Sequence, residues 1–333
     1  MRHITRSSQT KDVILKVLLD SYGNYVPGGV LADTSGVSRA GVWKHIASLR
    51  AQGFRIQASI KKGYCLGSIP DRLFPSLVSA GLETQVIGRE VHYFHSLDST
   101  NRVAKEYALS GVSDGAVVVA EKQTKGKGRL NRTWISSAYS NILCSIIFYP
   151  TLKTSSVFRV TMLASVALAR ALARTCGVDA KIKWPNDVYI NGKKSCGILT
   201  EFLADHDRII YVVVGIGINV NFDVTRYPEL KDSATSLKME CGEKISRLTI
   251  FKALLEEIDF LYQDIGKSGG TQLRKEWDRY SMVMNQQVKI ISGNDVLCGV
   301  AKGINDDGHL ILIDHRGRKK EILCGDLSLR MDS

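Results

Sequence analysis

The chain is organised around one short stretch that alternates glycines with basic residues, Gly126-Lys127-Gly128-Arg129-Leu130-Asn131-Arg132-Thr133-Trp134. Glycine lets backbone N–H groups approach a ligand closely, and neighbouring cations favour phosphate or carboxylate. The apolar segments on either side, 117–121 and 141–149, are typical of buried strands. A P-loop would instead carry Gly-Lys-Ser/Thr running into a helix. The stretch is therefore interpreted either as a ligand-binding loop between two strands or as a solvated basic hairpin.

The composition is that of a globular protein with several domains. Its 333 residues are enough for two or three hydrophobic cores, and 44% of them are hydrophobic. No apolar run reaches the roughly 18 residues of a membrane helix, so no membrane span is predicted. Residues 1–10 are basic and polar, which indicates a disordered arm and not a secretory signal. The seven cysteines show no metal-binding spacing, so we expect free thiols in a reducing cytoplasm.

The N-terminal region combines positive charge with a helix-turn-helix pattern. Residues 1–70 contain 10 lysines and arginines against 3 acidic residues, which is +7 of the total net charge of +12. Helices are predicted at 11–20 and 30–36, and Ser38 is a good N-cap for a third helix. Strands at 54–58 and 63–66 would form a hairpin, or wing, with lysines at its tip. The side chains expected to contact DNA are Ser38, Arg39, Lys44, His45, Lys61 and Lys62. A helical domain with a solvated basic face is the alternative.

The central region predicts a mixed α/β domain. A strand at 91–94 precedes Asp98-Ser99-Thr100-Asn101 and a helix at 103–109, and these polar residues are either helix caps or ligands for an amide-like group. A long apolar helix at 157–176 is expected to pack across a sheet. The further predictions are strands at 196–202 and 209–220, a polar loop at 221–240 and helices at 248–262 and 271–280.

Two further signals lie in this region, and a third follows it. Gly215-Ile216-Gly217 lies within a strand and lacks the third glycine of a dinucleotide fingerprint, so it indicates close approach of a ligand or another backbone. Asn191-Gly192 predicts a hairpin turn that presents Lys193 and Lys194. Short alternating segments at 288–329 predict a small separate β-barrel.

Taken together, these stretches resemble the biotin protein ligases, enzymes that use ATP to attach biotin to carboxylase carrier domains. More narrowly, they resemble the bifunctional type that also represses the biotin operon, and the resemblance covers nearly the whole chain. The motifs that carry it are Asp98-Ser99-Thr100-Asn101, the 126–134 loop, Lys183-Trp184-Pro185-Asn186-Asp187-Val188, Lys194-x-x-Gly197-Ile198-Leu199, Gly215-x-Gly217-x-Asn219-Val220 and Gly325-Asp326-Leu327-Ser328-Leu329-Arg330.

The resemblance implies an α+β fold with three domains. These are a winged helix-turn-helix at 1–68, a class II synthetase-like mixed α/β ligase domain around a β-sheet at 69–281, and an SH3-like β-barrel at 282–333. It also implies a cytoplasmic protein that forms a homodimer when biotinyl-AMP is bound. The implied partners are a biotin carboxyl carrier protein, which supplies the acceptor lysine, and the operator DNA of biotin genes.

The resemblance also implies the chemistry. With ATP and Mg²⁺, the carboxylate of biotin would attack the α-phosphate to give biotinyl-5′-AMP, and an acceptor lysine would then attack the mixed anhydride. Both steps develop negative charge on oxygen, so fixed cations and N–H donors are the main requirement. No metal site built from protein ligands alone is expected.

The resemblance assigns the site residues to three groups. The expected catalytic residues are Arg129, Lys194, Asp187 and Lys183. The expected biotin ligands are Ser99, Thr100, Asn101, Gln123, Lys127, Gly128, Arg129, Lys194 and Gly197. The expected ATP ligands are Gly126, Arg132, Trp134, Asn186, Gly215 and Asn219.

The loop departs from the usual family pattern, Gly-Arg-Gly-Arg-x-Gly-Arg-x-Trp, at two positions. Lys127 stands where arginine is usual, which keeps the charge and loses the bidentate fork. Asn131 replaces the third glycine, and asparagine tolerates a left-handed backbone well. We therefore expect the loop geometry to be preserved, and adenylate retention to be the property that these two changes affect.

Three other interpretations compete with this one. A lipoate–protein ligase would share the catalytic fold and the acyl-adenylate chemistry but would need a pocket for a longer acyl chain. A repressor that has lost ligation would not need Arg129, Lys183, Asp187 and Lys194. A ligase could also carry a winged helix with no regulatory role, which the protein sequence alone does not exclude.

Overall fold

The chain folds as two compact units, Met1–Gly81 and Leu82–Ser333. The first unit thus extends beyond the boundary predicted at residue 68, and the predicted boundary between residues 281 and 282 stays a prediction. The computed structural model describes residues 6–263, 265, 271–292, 295–323 and 325–329. Several expected features lie outside these residues, namely positions 1–5 of the predicted arm, the turn at 293–294, Cys324 and Arg330.

The first unit is a helix-turn-helix with a wing, as predicted. Its elements are α1 (Arg6–Asp20), β1 (Tyr25–Val26), α2 (Gly28–Ser35), α3 (Arg39–Ala51), β2 (Arg55–Ser59), β3 (Gly63–Ser68) and α4 (Pro75–Ser79). The strands form one sheet in the order β1-β3-β2. Because α1 begins at Arg6, the expectation of a disordered arm over residues 6–10 is wrong.

Local sequence explains the geometry of the third helix and the wing. The Ser38 hydroxyl accepts a hydrogen bond from the Gly41 N–H, which caps α3, and Val42, Ile46 and Leu49 are buried beneath it. Gly63 has a φ of +96°, and a Cβ there would lie 2.1 Å from the carbonyl oxygen of Val26. Only glycine therefore lets the wing return beside β1.

The second unit is built on a seven-stranded sheet. Its elements before the C-terminal strands are β4 (Val91–Phe94), α5 (Thr100–Leu109), β5 (Val117–Ala120), β6 (Asn141–Phe148), α6 (Phe158–Cys176), β7 (Lys181–Lys183), β8 (Asp187–Ile190), β9 (Lys193–Asp205), β10 (Arg208–Asn219), α7 (Leu237–Cys241), α8 (Arg247–Tyr262) and α9 (Thr271–Tyr280). The strand order is β4-β5-β6-β10-β9-β8-β7, and β4 with β5 is the parallel pair. The part predicted as a polar loop at 221–240 contains the start of α7.

Helices cover both faces of this sheet. On one face, α5 packs with Val103, Ala104 and Ala108 against Tyr211 and Val213 of β10. Side chains alternate along a strand, so the neighbouring positions face the long helix α6, with α8 beside it.

The long helix passes a compositional test for membrane helices. Within the described residues, the segment Thr154–Cys176 is long and apolar enough to cross a membrane by length and composition alone. However, 72% of its apolar window is buried inside the fold. Contacts with the sheet and α8 on several sides account for its apolar surface.

The C-terminal strands form an open sheet. They are β11 (Gln287–Ser292), β12 (Asp295–Ile304), β13 (Leu310–Ile313), β14 (Lys319–Ile322) and β15 (Asp326–Leu329), in the order β14-β13-β12-β11-β15. Within the described residues no pairing joins β14 to β15, so the prediction of a closed barrel is corrected to a five-stranded antiparallel sheet. The two edge strands have four residues each, and three strands lie between them in this order.

One buried carboxylate ties α8 to the start of the second unit. Asp259 accepts hydrogen bonds from the backbone N–H groups of Gln85, Val86 and Ile87 at 2.8–2.9 Å. Burial alone would raise the pKa of Asp259, but these N–H donors outweigh it and hold the pKa below its ordinary value. The charged form is therefore the one that the fold stabilises.

We predict that Asp259→Asn lowers the free energy of unfolding at pH 7 by about 1–3 kcal/mol, because it weakens a charge-assisted cap on three N–H groups. The folded pKa is depressed, so the carboxylate's contribution is complete above its unfolded pKa and is lost as pH falls through the folded pKa. Urea unfolding at pH 7 and pH 3 should show the difference between variant and wild type shrinking in acid. Asp179→Asn, which removes an exposed ion pair with Lys181, is the control and should change little.

Candidate functional site

The residues predicted to bind ligands in the second unit converge on one cavity of about 560 Å³. Those that line it are Ser99, Thr100, Asn101, Gln123, Lys127, Gly128, Arg129, Arg132, Trp134, Lys183, Asn186, Asp187, Lys194, Gly197, Gly215 and Asn219. Of the described residues predicted to bind a ligand there, only Gly126 does not line it. Gly126 lies at the base of the loop, where its carbonyl oxygen accepts a hydrogen bond from the Trp134 N–H at 3.0 Å.

The floor of the cavity is formed by the Trp134 indole, which lies on glycines of two adjacent strands. Gly197 of β9 and Gly217 of β10 are direct cross-strand partners, and the Trp134 indole lies over both. A Cβ at Gly217 would lie 2.6 Å from an indole carbon, and one at Gly197 would lie 2.9 Å from another. At Gly215 a Cβ would lie 2.2 Å from Asn101 Oδ1. These glycines are therefore required by close approach of side chains, whereas the sequence predicted close approach of a ligand or another backbone at Gly215 and Gly217.

The Trp134 indole contributes one buried hydrogen-bond donor to the site. Trp134 Nε1 is buried, and no hydrogen-bond acceptor reaches it among the described residues. The Lys194 ammonium lies 5.7 Å from the ring centroid, within the range of a cation–π contact. Trp134 thus forms an aromatic surface beside a cation at the cavity floor.

Two lysines and one aspartate meet at the proline corner. Lys194 Nζ lies 2.7 Å from Asp187 Oδ1, and Asp187 pairs across the hairpin with Lys183. The Lys183 ammonium lies 5.1 Å from the Tyr189 ring centroid. Burial lowers the pKa of Lys183, with a smaller contribution from Lys194 and against the effect of Asp187. Burial also raises the pKa of Tyr189 to about 12.

The C-terminal sheet completes the cavity wall. Arg129 Nη1 lies 3.3 Å both from Asn186 Oδ1 and from the carbonyl oxygen of Gly325, and Arg132 forms an ion pair with Asp326. Ile291 and Leu327 also line the cavity. Sequence reasoning missed these contacts, although Gly325-Asp326 lies in the last motif of the family resemblance.

The electrostatic balance of the lining is positive. Five cations, Lys127, Arg129, Arg132, Lys183 and Lys194, face two carboxylates, Asp187 and Asp326, which gives a net of +3. Cys144 also lines the cavity, and burial raises the pKa of its thiol to about 12. The cavity therefore favours an anionic ligand, and its buried thiol is not a thiolate nucleophile at neutral pH.

The polar residues at the start of α5 are held in a framework. Asn101 donates to Leu199 O and Glu201 Oε2 and accepts from Ser145 Oγ at 2.6 Å. Thr100 in turn is hydrogen-bonded to Gln123 and Ser145. Asn101 is therefore bonded within the protein while it lines the cavity, and its contact with biotin stays a prediction. The sequence signal was too weak to identify Ser145 or Glu201, because each lies alone in an ordinary strand.

Glu201 is held ionised by this framework. Burial alone would raise the pKa of Glu201, but hydrogen bonds from Lys105 and Asn101 outweigh it and lower the pKa. The Lys105–Glu201 ion pair spans 2.6 Å. A negative carboxylate is thereby kept behind the cavity wall.

The residues predicted to contact DNA lie in the first unit. Arg39 and Lys44 are exposed on α3, and Lys61 and Lys62 are exposed at the wing tip. His45 is partly exposed on the same helix, whereas the Ser38 hydroxyl is used as the cap of α3. Two exposed apolar side chains, Trp43 and Ile60, accompany these cations.

Comparisons with protein families match all three parts of the chain. Residues 10–65 match an HTH domain, residues 93–219 match the biotin/lipoate A/B protein ligase family, and residues 283–330 match the biotin protein ligase C-terminal domain. The boundaries agree with the winged helix, the seven-stranded sheet and the C-terminal sheet described above.

Individual relatives are similar over nearly the whole chain. The bifunctional ligase/repressor BirA of Bacillus subtilis is 39% identical over 97% of this chain and 99% of its own length. The protein of the same name from Escherichia coli is 27% identical over 94% of this chain and 96% of its own length. The solved biotin protein ligase of Aquifex aeolicus, in complex with biotin and ATP, superposes with a TM-score of 0.63 at 28% identity, covering 73% of this chain and all of that one.

We predict that Gly217→Ala displaces the indole of Trp134, because the added methyl group would overlap the ring. The displaced indole should become more exposed, and the tryptophan fluorescence should shift to longer wavelength. The same substitution in a Trp134→Phe background should give no such shift. A shift of equal size in both backgrounds would assign the effect to another tryptophan and contradict the packing described here.

Proposed function

Because this chain belongs to the family of bifunctional biotin ligase/repressors, we propose that it activates biotin with ATP and then transfers it to a lysine of a carrier protein. In the first step a carboxylate oxygen of biotin bonds to the α-phosphorus of ATP, and pyrophosphate leaves. In the second step the neutral acceptor amine attacks the acyl carbon, AMP leaves, and a proton is released. The convergence of five cations on one cavity supports this proposal.

The cations have roles that follow from where charge develops. Lys194, on the cavity floor, would neutralise the biotin carboxylate and the α-phosphate. Arg129 would hold the acyl-phosphate, and Arg132 would reach the ATP phosphates after leaving Asp326. Lys127 and Gly128 would close over biotin, with Ser99, Gln123 and Gly197 along its length. Trp134, Asn186 and Gly215 would support the adenine side.

The two cavity carboxylates limit how Mg²⁺ would be held. Asp187 and Asp326 are both in ion pairs with cations of the cavity. Mg²⁺ commonly binds through substrate phosphates with one or two carboxylates, so the ATP phosphates would be its main ligands here. Asp187, whose Oδ1 lies 2.7 Å from Lys194 Nζ, would orient that lysine toward the reacting groups.

The first unit extends the function to transcription. We infer that the winged helix binds the operator of biotin genes, with α3 in the major groove and the wing lysines on phosphates. Biotinyl-AMP accumulates when acceptor lysines are scarce, so it is the natural signal of biotin excess. By ordering residues 126–134 and 221–240, the adenylate would favour a homodimer that fits a palindromic operator.

The remaining proposals are finer points of the same family membership. We propose a cytoplasmic location, where ATP, acceptor carrier proteins and operator DNA are all present. We also propose that the catalytic sheet is related to the class II synthetases. The C-terminal sheet would be the SH3-like domain of the family, although it is open in this structure.

The ligase proposal is tested by incubating the protein with biotin, ATP, Mg²⁺ and a biotin carboxyl carrier domain. Intact-mass measurement should show one biotin added to the carrier, with AMP and pyrophosphate formed. Lipoic acid replaces biotin in a parallel reaction and should give no adduct. A lipoyl adduct without a biotinyl one would overturn the assignment.

We predict that Lys194→Ala suppresses biotinyl-AMP formation much more than transfer from preformed biotinyl-AMP, because the carboxylate loses its counter-charge before the anhydride exists. Charge-assisted contacts of this kind contribute about 1.5–3 kcal/mol, or roughly 10- to 150-fold in rate. Pyrophosphate release reports the first step and carrier mass the second. Lys193→Ala, whose side chain contacts Lys231 O instead, is the matched control. An equal loss in both steps would refute this role.

We predict that Arg39→Ala and Lys44→Ala weaken operator binding without changing ligation, because both lie in the first unit. Gel shifts on the promoter of the protein's own biotin genes, with and without biotinyl-AMP, report DNA binding. Sedimentation of the same samples reports dimerisation, which the adenylate should strengthen in parallel. A protein that ignores this DNA and stays monomeric with adenylate would retain only the ligase function.

A further inference from the structure

Two chain segments that carry the site begin and end close to the first residue of α8. The first segment, residues 121–141, links β5 to β6 and contains the glycine-rich loop. The second, residues 219–236, links β10 to α7 and supplies part of the cavity wall. What holds their ends is not explained by the ligand contacts proposed above.

A single buried guanidinium holds both ends of the first segment. Arg247, the first residue of α8, donates from Nη1 to Glu121 Oε2 at 2.6 Å and to the carbonyl oxygen of Asn141 at 3.0 Å. Glu121 is the first residue of the segment and Asn141 is its last. The side chain of Arg247 is 0% exposed and that of Glu121 is 1% exposed.

The same contacts continue into the second segment. Asn141 Nδ2 donates to Asn219 Oδ1 at 2.9 Å, and Asn219 Nδ2 donates to the carbonyl oxygen of Thr235 at 3.1 Å. Asn221 exchanges two hydrogen bonds with the backbone of Ile245, at 2.8 and 3.0 Å. Ile245 lies two residues before Arg247, so both segments are anchored at the same end of α8.

Stability alone does not explain why the Arg247–Glu121 ion pair is buried. Desolvating a guanidinium and a carboxylate is costly, and a well-packed apolar pair is often at least as stable. An apolar pair could not donate a hydrogen bond to the carbonyl oxygen of Asn141, the residue whose side chain bonds to Asn219. Both bonds come from Arg247 Nη1, so the position of this one buried donor is what the ends of the segment depend on.

We propose that Arg247 is a positioning residue for the ligation reaction. With Glu121 it joins the two ends of residues 121–141, and this set of contacts is called the staple below. Through Asn141 and Asn219 it also aligns residues 121–141 with residues 219–236. The cations of the glycine-rich loop and the wall formed by the second segment then face one cavity. Disorder introduced at this staple would act on both segments together.

The test removes the staple while leaving the core packed. In the double variant Glu121→Leu/Arg247→Met, both charges leave together, so the thermal midpoint should stay within a few degrees of the wild type. Trypsin cuts after Lys125, Lys127, Arg129 and Arg132, all within the first segment. Native-state cleavage there should accelerate at least fivefold, and KM for ATP should rise at least tenfold with a smaller change in kcat.

A second ion pair, which joins α6 to α8, is the matched control. Arg170 and Glu257 pair at 2.9 Å, and neither lines the cavity. Arg170→Met/Glu257→Leu should leave both the tryptic cleavage and KM for ATP at wild-type values. If the Glu121/Arg247 double variant behaves like this control, the positioning role is refuted.

Two further variants keep the test decisive. Should the double variant not fold, Arg247→Ala in the presence of Glu121→Gln removes the donor and the charge together, and it should still accelerate cleavage in the first segment; unchanged cleavage would overturn the proposal. Asn141→Ala leaves the Arg247 bond to the main chain intact but removes the bonds to Asn219 and Ser137, so it should raise KM for ATP and accelerate cleavage less than the double variant does. Tryptic cleavage needs no ligand, so it tests the staple separately from the proposed reaction, which the wild-type assay tests.

Discussion

The site depends on a patch of sheet that carries no side chains. Gly197 and Gly217 are cross-strand partners, and their missing Cβ atoms let the Trp134 indole lie directly on the backbone. Gly215 gives the same room to Asn101. Since any larger residue would collide at 2.2–2.9 Å, the glycines determine where the loop and the start of α5 can lie. A flat aromatic and polar floor follows from that single steric condition.

Charge is the second feature that organises the site. The loop and the two hairpin strands bring five cations around this floor, with only two carboxylates among the lining residues. Each carboxylate is paired, Asp187 with Lys194 and Asp326 with Arg132. Because these cations repel one another, a bound anion stabilises the cavity. This suits an enzyme whose substrates and intermediate carry carboxylate and phosphate groups. The two ion pairs orient Arg132 and Lys194 in this structure.

Much of the architecture could be predicted from local patterns. The cap at Ser38, the Asn191-Gly192 turn and the apolar period of α8 are signals of adjacent residues, and they predicted their elements to within a few positions. The open C-terminal sheet was not predictable in this way, because barrel closure depends on whether β14 and β15 meet. The helical start at Arg6 was also missed, since residues 6–10 carry no apolar period of their own.

The sequence by itself determined which residue types form the site, because the glycines, the cations and the tryptophan occur at fixed spacings along the chain. Only the tertiary structure decided how those residues are used. Asn101 and Asn219 proved to be bonded within the protein, Gly126 to close the loop, and Asp326 to reach Arg132 across 194 positions of sequence. These partners are determined by how elements far apart in the sequence pack together, and a local sequence pattern carries no information about that packing.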